Sequence, residues 1–355
     1  MAPGETINAW GGLWTVPRKS KHNCHDSTAA DSGPRPRIGV SACLLGEKTR
    51  YDGGQNRVEW VAGELTEWCE VVPICPEAEL GMGIPREPVH LKGDRCRPRM
   101  VGNETRRDWT DGMEHLVRSR VRELAGGGLH GFVLKSRSPS CGIDDAELET
   151  EHLGITHGGT GLLVIGLRDH LPWLPLINEI GIDDPLERDR FLVRVFAAER
   201  VARAASGRFS VRRLRNFHRR ELHLLECYDL ETLAELDKFV NTVTGRSPEA
   251  ACKAYREGFL QVLIHRQNVP AQARILAGVL LQLMEIVVDG RAHRVPAHLD
   301  FDAIEGAIED YRRGATSMGP ALRGLGALAC QVDPAGLGMQ SLLQPSAAEY
   351  RLRWG

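Results

Sequence analysis

No long apolar run, no basic leader and no strong excess of charge of either sign mark this chain, and each absence removes a class of function. A membrane-spanning helix needs about 20 consecutive apolar residues, and no run in the sequence approaches that length. A formal charge of −2 predicts no strong global attraction to nucleic acid or to an acidic membrane. The start, Met1-Ala2-Pro3-Gly4-Glu5-Thr6, has no basic region followed by an apolar core, so no secretory signal is expected. The 13 histidines show no H-E-x-x-H spacing. The phosphate-loop pattern G-x-x-x-x-G-K is missing, and Gly81-Met82-Gly83 is not a dinucleotide fingerprint. Neither internal repeats nor low-complexity tracts occur. Cysteine, by contrast, is plentiful. The nine are an odd number and widely spaced, which argues against a disulfide framework. In a reducing cytoplasm, cysteines at strand ends read as metal ligands or nucleophiles. A cytoplasmic enzyme is the expectation.

Three stretches organise the rest: Ser41-Ala42-Cys43-Leu44-Leu45-Gly46, Cys75-Pro76-Glu77 and Ser138-Pro139-Ser140-Cys141-Gly142. Each cysteine follows a short apolar run, over 37–42, 70–74 and 130–135, of the kind that forms buried parallel strands. Between them, 57–68 and 113–125 carry apolar residues at helical spacing, the second closed by Gly126-Gly127-Gly128. Strand–helix–strand–helix–strand order predicts a parallel sheet with right-handed crossovers. Such a sheet aligns the carboxyl ends of its strands along one edge, where ligands of open α/β folds bind. Cysteines far apart in sequence are therefore expected to meet.

The 355 residues suffice for two domains. Residues 1–35, rich in Pro, Gly, Ser, Lys and His, read as a mostly disordered extension holding Trp10, Trp14, Cys24 and His25. Residues 36–185 read as the α/β domain, an open mainly parallel sheet with helices on both faces. In it, 161–167 is expected as a fourth strand and the stretch from Trp173 to Pro185 as a connector. Residues 186–340 read as an all-α domain, with helices over 187–205, 211–226, 230–244, 249–264, 271–288, 302–313 and 321–330. Ser247-Pro248-Glu249 supplies an N-cap serine and a proline at the first helical position. Residues 341–355 are left as a tail.

Three converging thiolates, Cys43, Cys75 and Cys141, suit either Zn²⁺ with a fourth ligand or an iron–sulfur cluster; the competing reading is three small buried hydrophobes. Glu77, two residues after Cys75, is placed to act as a general base beside a metal centre, with burial raising its pKa. Otherwise it is an exposed loop acid. Ser138 and Ser140 either satisfy turn amides or hydrogen-bond a substrate. Lys135 and Arg137 offer an anion or carbonyl contact, against ordinary solvated cations. Arg50-Tyr51-Asp52-Gly53-Gly54 and the loop from Gly81 to Pro88 lie on the ligand side of the sheet. Arg208, Arg212, Arg213, Arg215, Arg219 and Arg220 form a patch that either meets nucleic-acid phosphates or is a solvated face paired with Glu221 and Glu226.

In order, S-A-C-L-L-G, R-Y-D-G-G, C-P-E with its Gly/Pro-Arg loop, and K-x-x-S-P-S-C-G resemble the bacterial family that includes the thiouracil desulfurases, over about residues 36–170. The helical half resembles the YbgA-type domain often fused behind it, in Phe217-His218 and Tyr311-Arg312-Arg313-Gly314. The first resemblance implies a 4Fe–4S cluster held by Cys43, Cys75 and Cys141 with one iron open. It further implies that the sulfur of a thiolated base or nucleoside binds that iron, that Glu77 activates water, and that Ser138 orients substrate or moves protons. The product is then the oxo base, in a non-redox desulfuration. Two alternatives compete: a cluster-bearing sulfur carrier for RNA modification or biosynthesis, and a zinc-stabilised adaptor that binds nucleic acid through its helices.

Overall fold

A computed structural model describes residues 5–7, 13–15, 35–150, 154–206, 210–243, 247–265, 268–296 and 300–354. It divides into a unit over Met1–Ala30 and a unit over Asp31–Gly355. In the first, β1 (Glu5–Ile7) pairs antiparallel with β2 (Leu13–Thr15). These two short strands stand within the stretch expected to be mostly disordered; Trp10, Cys24 and His25 lie outside the described residues.

The strands of the larger unit are β3 (Arg37–Ser41), β4 (Glu70–Ile74), β5 (Val89–Gly93), β6 (Pro98–Gly102), β7 (Gly131–Leu134), β8 (Ala146–Thr150), β9 (Gly154–Gly159) and β10 (Leu176–Asn178). Four of them form one parallel sheet in the order β10–β7–β3–β4. Its helices are α1 (Thr66–Trp68, entered through a π-helical turn, Val61–Leu65), α2 (Pro76–Glu79), α3 (Thr110–Gly126), α4 (Leu162–His170) and α5 (Glu179–Asp183), followed by α6 (Pro185–Ala205). Alternating side chains bury both faces, as a parallel sheet requires. Ile38, Val40, Val133 and Ile177 face Val61, Leu65 and, from α6, Phe191 and Val195. Phe132, Leu134 and Ile74 face Val117 and Val121 of α3 and Leu163 and Leu167 of α4. Phe132 lies across its register partner Gly39, where a Cβ would fall 2.5 Å from the ring.

Two expectations change here. The apolar stretch 161–167 is not a strand but the start of α4. A short buried run has no periodicity that separates strand from helix, and this one packs on α3 so closely that a Cβ at Gly166 would lie 2.3 Å from Val117 Cγ1. The fourth strand is β10, inside the expected connector. A second, unexpected sheet in the order β6–β5–β8–β9 mixes antiparallel pairs with one parallel pair, β5–β8.

The remaining helices are α7 (Val211–Glu226), α8 (Leu230–Thr242), α9 (Pro248–Val262), α10 (Val269–Val288), α11 (Phe301–Arg312), α12 (Gly319–Val332) and α13 (Ala347–Trp354). Their bounds follow the apolar spacing, and Ser247 Oγ accepts from Ala250 N at 3.3 Å. By length and composition α10 is apolar enough to cross a membrane, contrary to the expectation that no segment is. In the structure it buries Leu276, Val279 and Leu283 in the helical core. Helix α6 belongs to two cores, giving Phe191 and Val195 to the sheet and Val193, Ala197 and Val201 to the helices. Charge is buried beside it: Arg200 donates to Glu221 (3.0 and 3.1 Å) and Glu349 (2.9 Å), while Arg353 joins Glu349 (2.9 Å) to Asp189 (2.8 Å). Helix α13, in the expected tail, is thus held by buried ion pairs and by Leu352.

Two predictions follow from this packing. A Cβ at Gly161, just before α4, would lie 2.5 Å from the Ser140 carbonyl carbon and 2.7 Å from Cys141 N; backbone cannot yield there, so Gly161→Ala is expected to lower stability by about 2 kcal/mol or more, read from urea denaturation. His130 accepts a hydrogen bond from Arg37 N at 2.9 Å. Burial, with the Arg256 and Arg37 charges, pushes its imidazole down to about 4. The native ring is therefore neutral where an unfolded one takes a proton. Stability is full above about pH 6.5 and is lost as the pH falls toward 4, by up to about 3 kcal/mol. His130→Gln should flatten that pH dependence, and an unchanged slope would remove His130 as its source.

Candidate active site

Strand β3 is central among the three strands that carry the motifs, with β4 and β7 paired to its two sides in parallel register. Each chain therefore leaves the sheet at the same edge. After Ser41 it turns through a 3₁₀ segment, Ala42–Leu45, that holds Cys43 and is closed by Gly46 at φ 100°. After Ile74 it places Cys75 at the N-cap of α2, with Pro76 at the first helical position. After Leu134 it runs through a loop to Cys141. Cys43 and Cys141 are buried and Cys75 partly so.

The thiols feel one another. Burial pushes the Cys43 thiol up to about 11, and Cys75 and Glu179 add to this against Lys135 and Arg50. Cys141 is raised further, by burial and then by Glu77, Cys43 and Cys75, with a hydrogen bond from Ser41 opposing. Left to themselves these two thiols stay protonated at neutral pH; a bound cation is what would replace their protons. Among the described residues no three His, Cys, Asp or Glu side chains close on a single-ion position. Three soft sulfur donors are of the ligand type that an iron–sulfur centre takes, or a zinc ion with a fourth ligand.

Glu77 sits in the first turn of α2 and is the carboxylate among the groups acting on Cys141. It is no exposed loop acid: its side chain is 12% accessible. Arg86 donates to Oε2 through Nε at 2.9 Å and Nη2 at 2.5 Å. Ser140 donates to Oε1 at 2.7 Å. The Arg86 Nη2 also reaches the Thr49 carbonyl at 3.0 Å, the same oxygen that accepts from Cys75 Sγ at 3.7 Å.

The two serines differ. Ser138 Oγ accepts from Ser140 N (3.2 Å) and Cys141 N (3.1 Å), folding the loop that presents Cys141. Ser140 is the one that touches Glu77. Lys135 is not a free cation, since its ammonium pairs with Glu179 and with Ser136. Glu179 also accepts from Ser136 N (2.8 Å) and Ser136 Oγ (2.7 Å). Burial acts to raise the Glu179 pKa, but these partners outweigh it and leave the carboxyl below its usual range. Arg137 is exposed, at φ 57°. Tyr51 bridges loops through its carbonyl, which accepts from Arg86 N at 2.8 Å. Thr49 and Glu179 carry no local signal and enter only because the chain brings them back across the sheet edge, whereas Ser41 opens the first cysteine motif. Of the arginine patch, Arg208 lies outside the described residues, Arg215 donates to carbonyls at the end of α8 (3.4 and 3.2 Å), and Arg219 donates to Asn216 (3.3 Å).

Residues 38–179 match the family model of 2-thiouracil desulfurase. Among solved structures, a 4Fe–4S-dependent thiouracil desulfidase, TudS, matches at 27% identity over 42% of this chain and 95% of its own, with a TM-score of 0.36. No curated protein matches. The family match begins in β3, ends at Glu179, and contains all three thiols and Glu77. Over residues 38–179 this chain is thus similar to the thiouracil desulfurase family.

Proposed function

We propose that this protein removes sulfur from a thiolated heterocycle of the thiouracil kind by hydrolysis, in the cytoplasm. The observation that carries this reading is the meeting of Cys43, Cys75, Cys141 and Glu77 at one sheet edge, inside the family match. In balance, a thiocarbonyl and water become a carbonyl and hydrogen sulfide. The water oxygen bonds to the carbon as the carbon–sulfur bond breaks, and no electrons are gained or lost. Cys43, Cys75 and Cys141 would hold a 4Fe–4S cluster, which when bound supplies an open iron as a soft Lewis acid toward sulfur.

The protein's own groups supply the rest. Glu77 takes a proton from the attacking water, the work of a general base. Its Oε1 is oriented by Ser140, a residue 1% exposed, which fixes where that proton arrives. Ser138 Oγ uses its lone pairs on two amides, and among the described residues its O–H has no acceptor. That proton is available to the substrate heteroatoms.

The test uses anaerobically reconstituted protein with 2-thiouracil, following uracil and sulfide in equal amounts. Glu77→Gln should keep its iron, acid-labile sulfide and visible absorption while turnover falls by about 10²- to 10⁴-fold. Full turnover in that variant removes Glu77 as the base. Replacing Cys43, Cys75 and Cys141 together by Ala should abolish iron binding. Zinc alone, or no metal after reconstitution, defeats the mechanism.

A further inference from the structure

Arg86 is the best-connected side chain at the site. Only 4% of it is accessible, yet it contacts three separate segments. Nε and Nη2 converge on Glu77 Oε2 (2.9 and 2.5 Å), Nη1 reaches the Gly83 carbonyl (3.1 Å), and Nη2 reaches the Thr49 carbonyl (3.0 Å). Its backbone N–H holds the Tyr51 carbonyl at 2.8 Å. A guanidinium usually meets a carboxylate as two parallel bonds, one to each oxygen. Here both donors go to one oxygen, and the other is left to Ser140 at 2.7 Å.

Taking Glu77 as the base proposed above, we infer that Arg86 is a positioning residue for the reaction. It fixes the Glu77 carboxylate by one oxygen so that the second faces Ser140 and the reacting water, and it ties that geometry to the loops carrying Thr49 and Tyr51. A lysine keeps the charge but is a point donor on a flexible stem. It cannot hold Glu77, Gly83 and Thr49 at once. A displacement of about 1 Å in a reacting group costs on the order of 10²-fold in rate.

The test is a cycle of Arg86→Lys, Glu77→Gln and the double variant, each loaded anaerobically and assayed for kcat, KM, iron per chain and melting temperature. Arg86→Lys should lose 10- to 100-fold in kcat, with KM changed less than about threefold and iron content unchanged. In the Glu77→Gln background, read by single turnover with enzyme in excess, Arg86→Lys should cost no more than about twofold further, because groups that act as a unit are not additive. Arg86→Gln, which keeps neither charge nor fork, should lose at least as much kcat. A kcat loss below tenfold, a loss that tracks iron or melting temperature, or multiplication of the two losses in the double variant overturns the inference. If Glu77→Gln is itself fully active, the reading of Glu77 has failed. If Glu77→Gln is impaired and the losses multiply, only the role of Arg86 falls.

Discussion

Parallel hydrogen bonding of β3 to β4 on one side and β7 on the other is the constraint on which the site depends. In a parallel sheet, every strand delivers its next residue to the same edge. Neighbouring strands lie less than 5 Å apart, so residues placed just beyond three adjacent strands fall within reach of one another. Cys43, Cys75 and Cys141 come from chain positions up to 98 apart in number, yet each thiol enters the electrostatic surroundings of Cys141. No disulfide or long-range loop is needed to gather them.

The same edge explains why the site is both buried and charged. An isolated buried carboxylate is costly unless it is paired and hydrogen-bonded. Glu77 has Arg86 and Ser140, and Glu179 has Lys135 and Ser136. These two ion pairs stand among buried thiols whose own tendency is to stay neutral. The surroundings thus hold fixed dipoles and charges around a set of soft donors, the kind of preorganised environment in which electrostatic interactions act most strongly. The helical half reaches the sheet through α6, which gives one face to each core, and through the buried charges of Arg200, Glu349 and Arg353.

How legible these features were depended on their range. Helices such as Val211–Glu226 stood in the sequence with their bounds, because one amphipathic face repeats every three to four residues. The strands Arg37–Ser41, buried along most of its length, and Glu70–Ile74 also stood out, as apolar runs stopped by polar or special residues. Stretch 161–167 did not, because a short run buried on all sides looks the same as strand or helix until its neighbour is known. The second sheet escaped for a different reason. Val89–Gly93 and Ala146–Thr150 carry polar or charged residues between their apolar ones, His90 and Lys92 in the first and Glu147 and Glu149 in the second, and so lack the continuous apolar run that marks Arg37–Ser41.

The sequence by itself determined the three strands that carry the motifs, the helical half, and that Cys43, Cys75 and Glu77 stand just past strand ends with Cys141 on the loop after the third, since each is written in local spacing or in a residue near a strand end. Only the tertiary structure decided which partners those residues have. Ser140 rather than Ser138 meets Glu77, across 63 positions; Arg86 clamps the same carboxylate, and Glu179 takes Lys135 across 44. A hydrogen bond depends on distance and angle within a few tenths of an ångström. Nothing in the order of residues carries that information until the sheet has fixed where each loop begins.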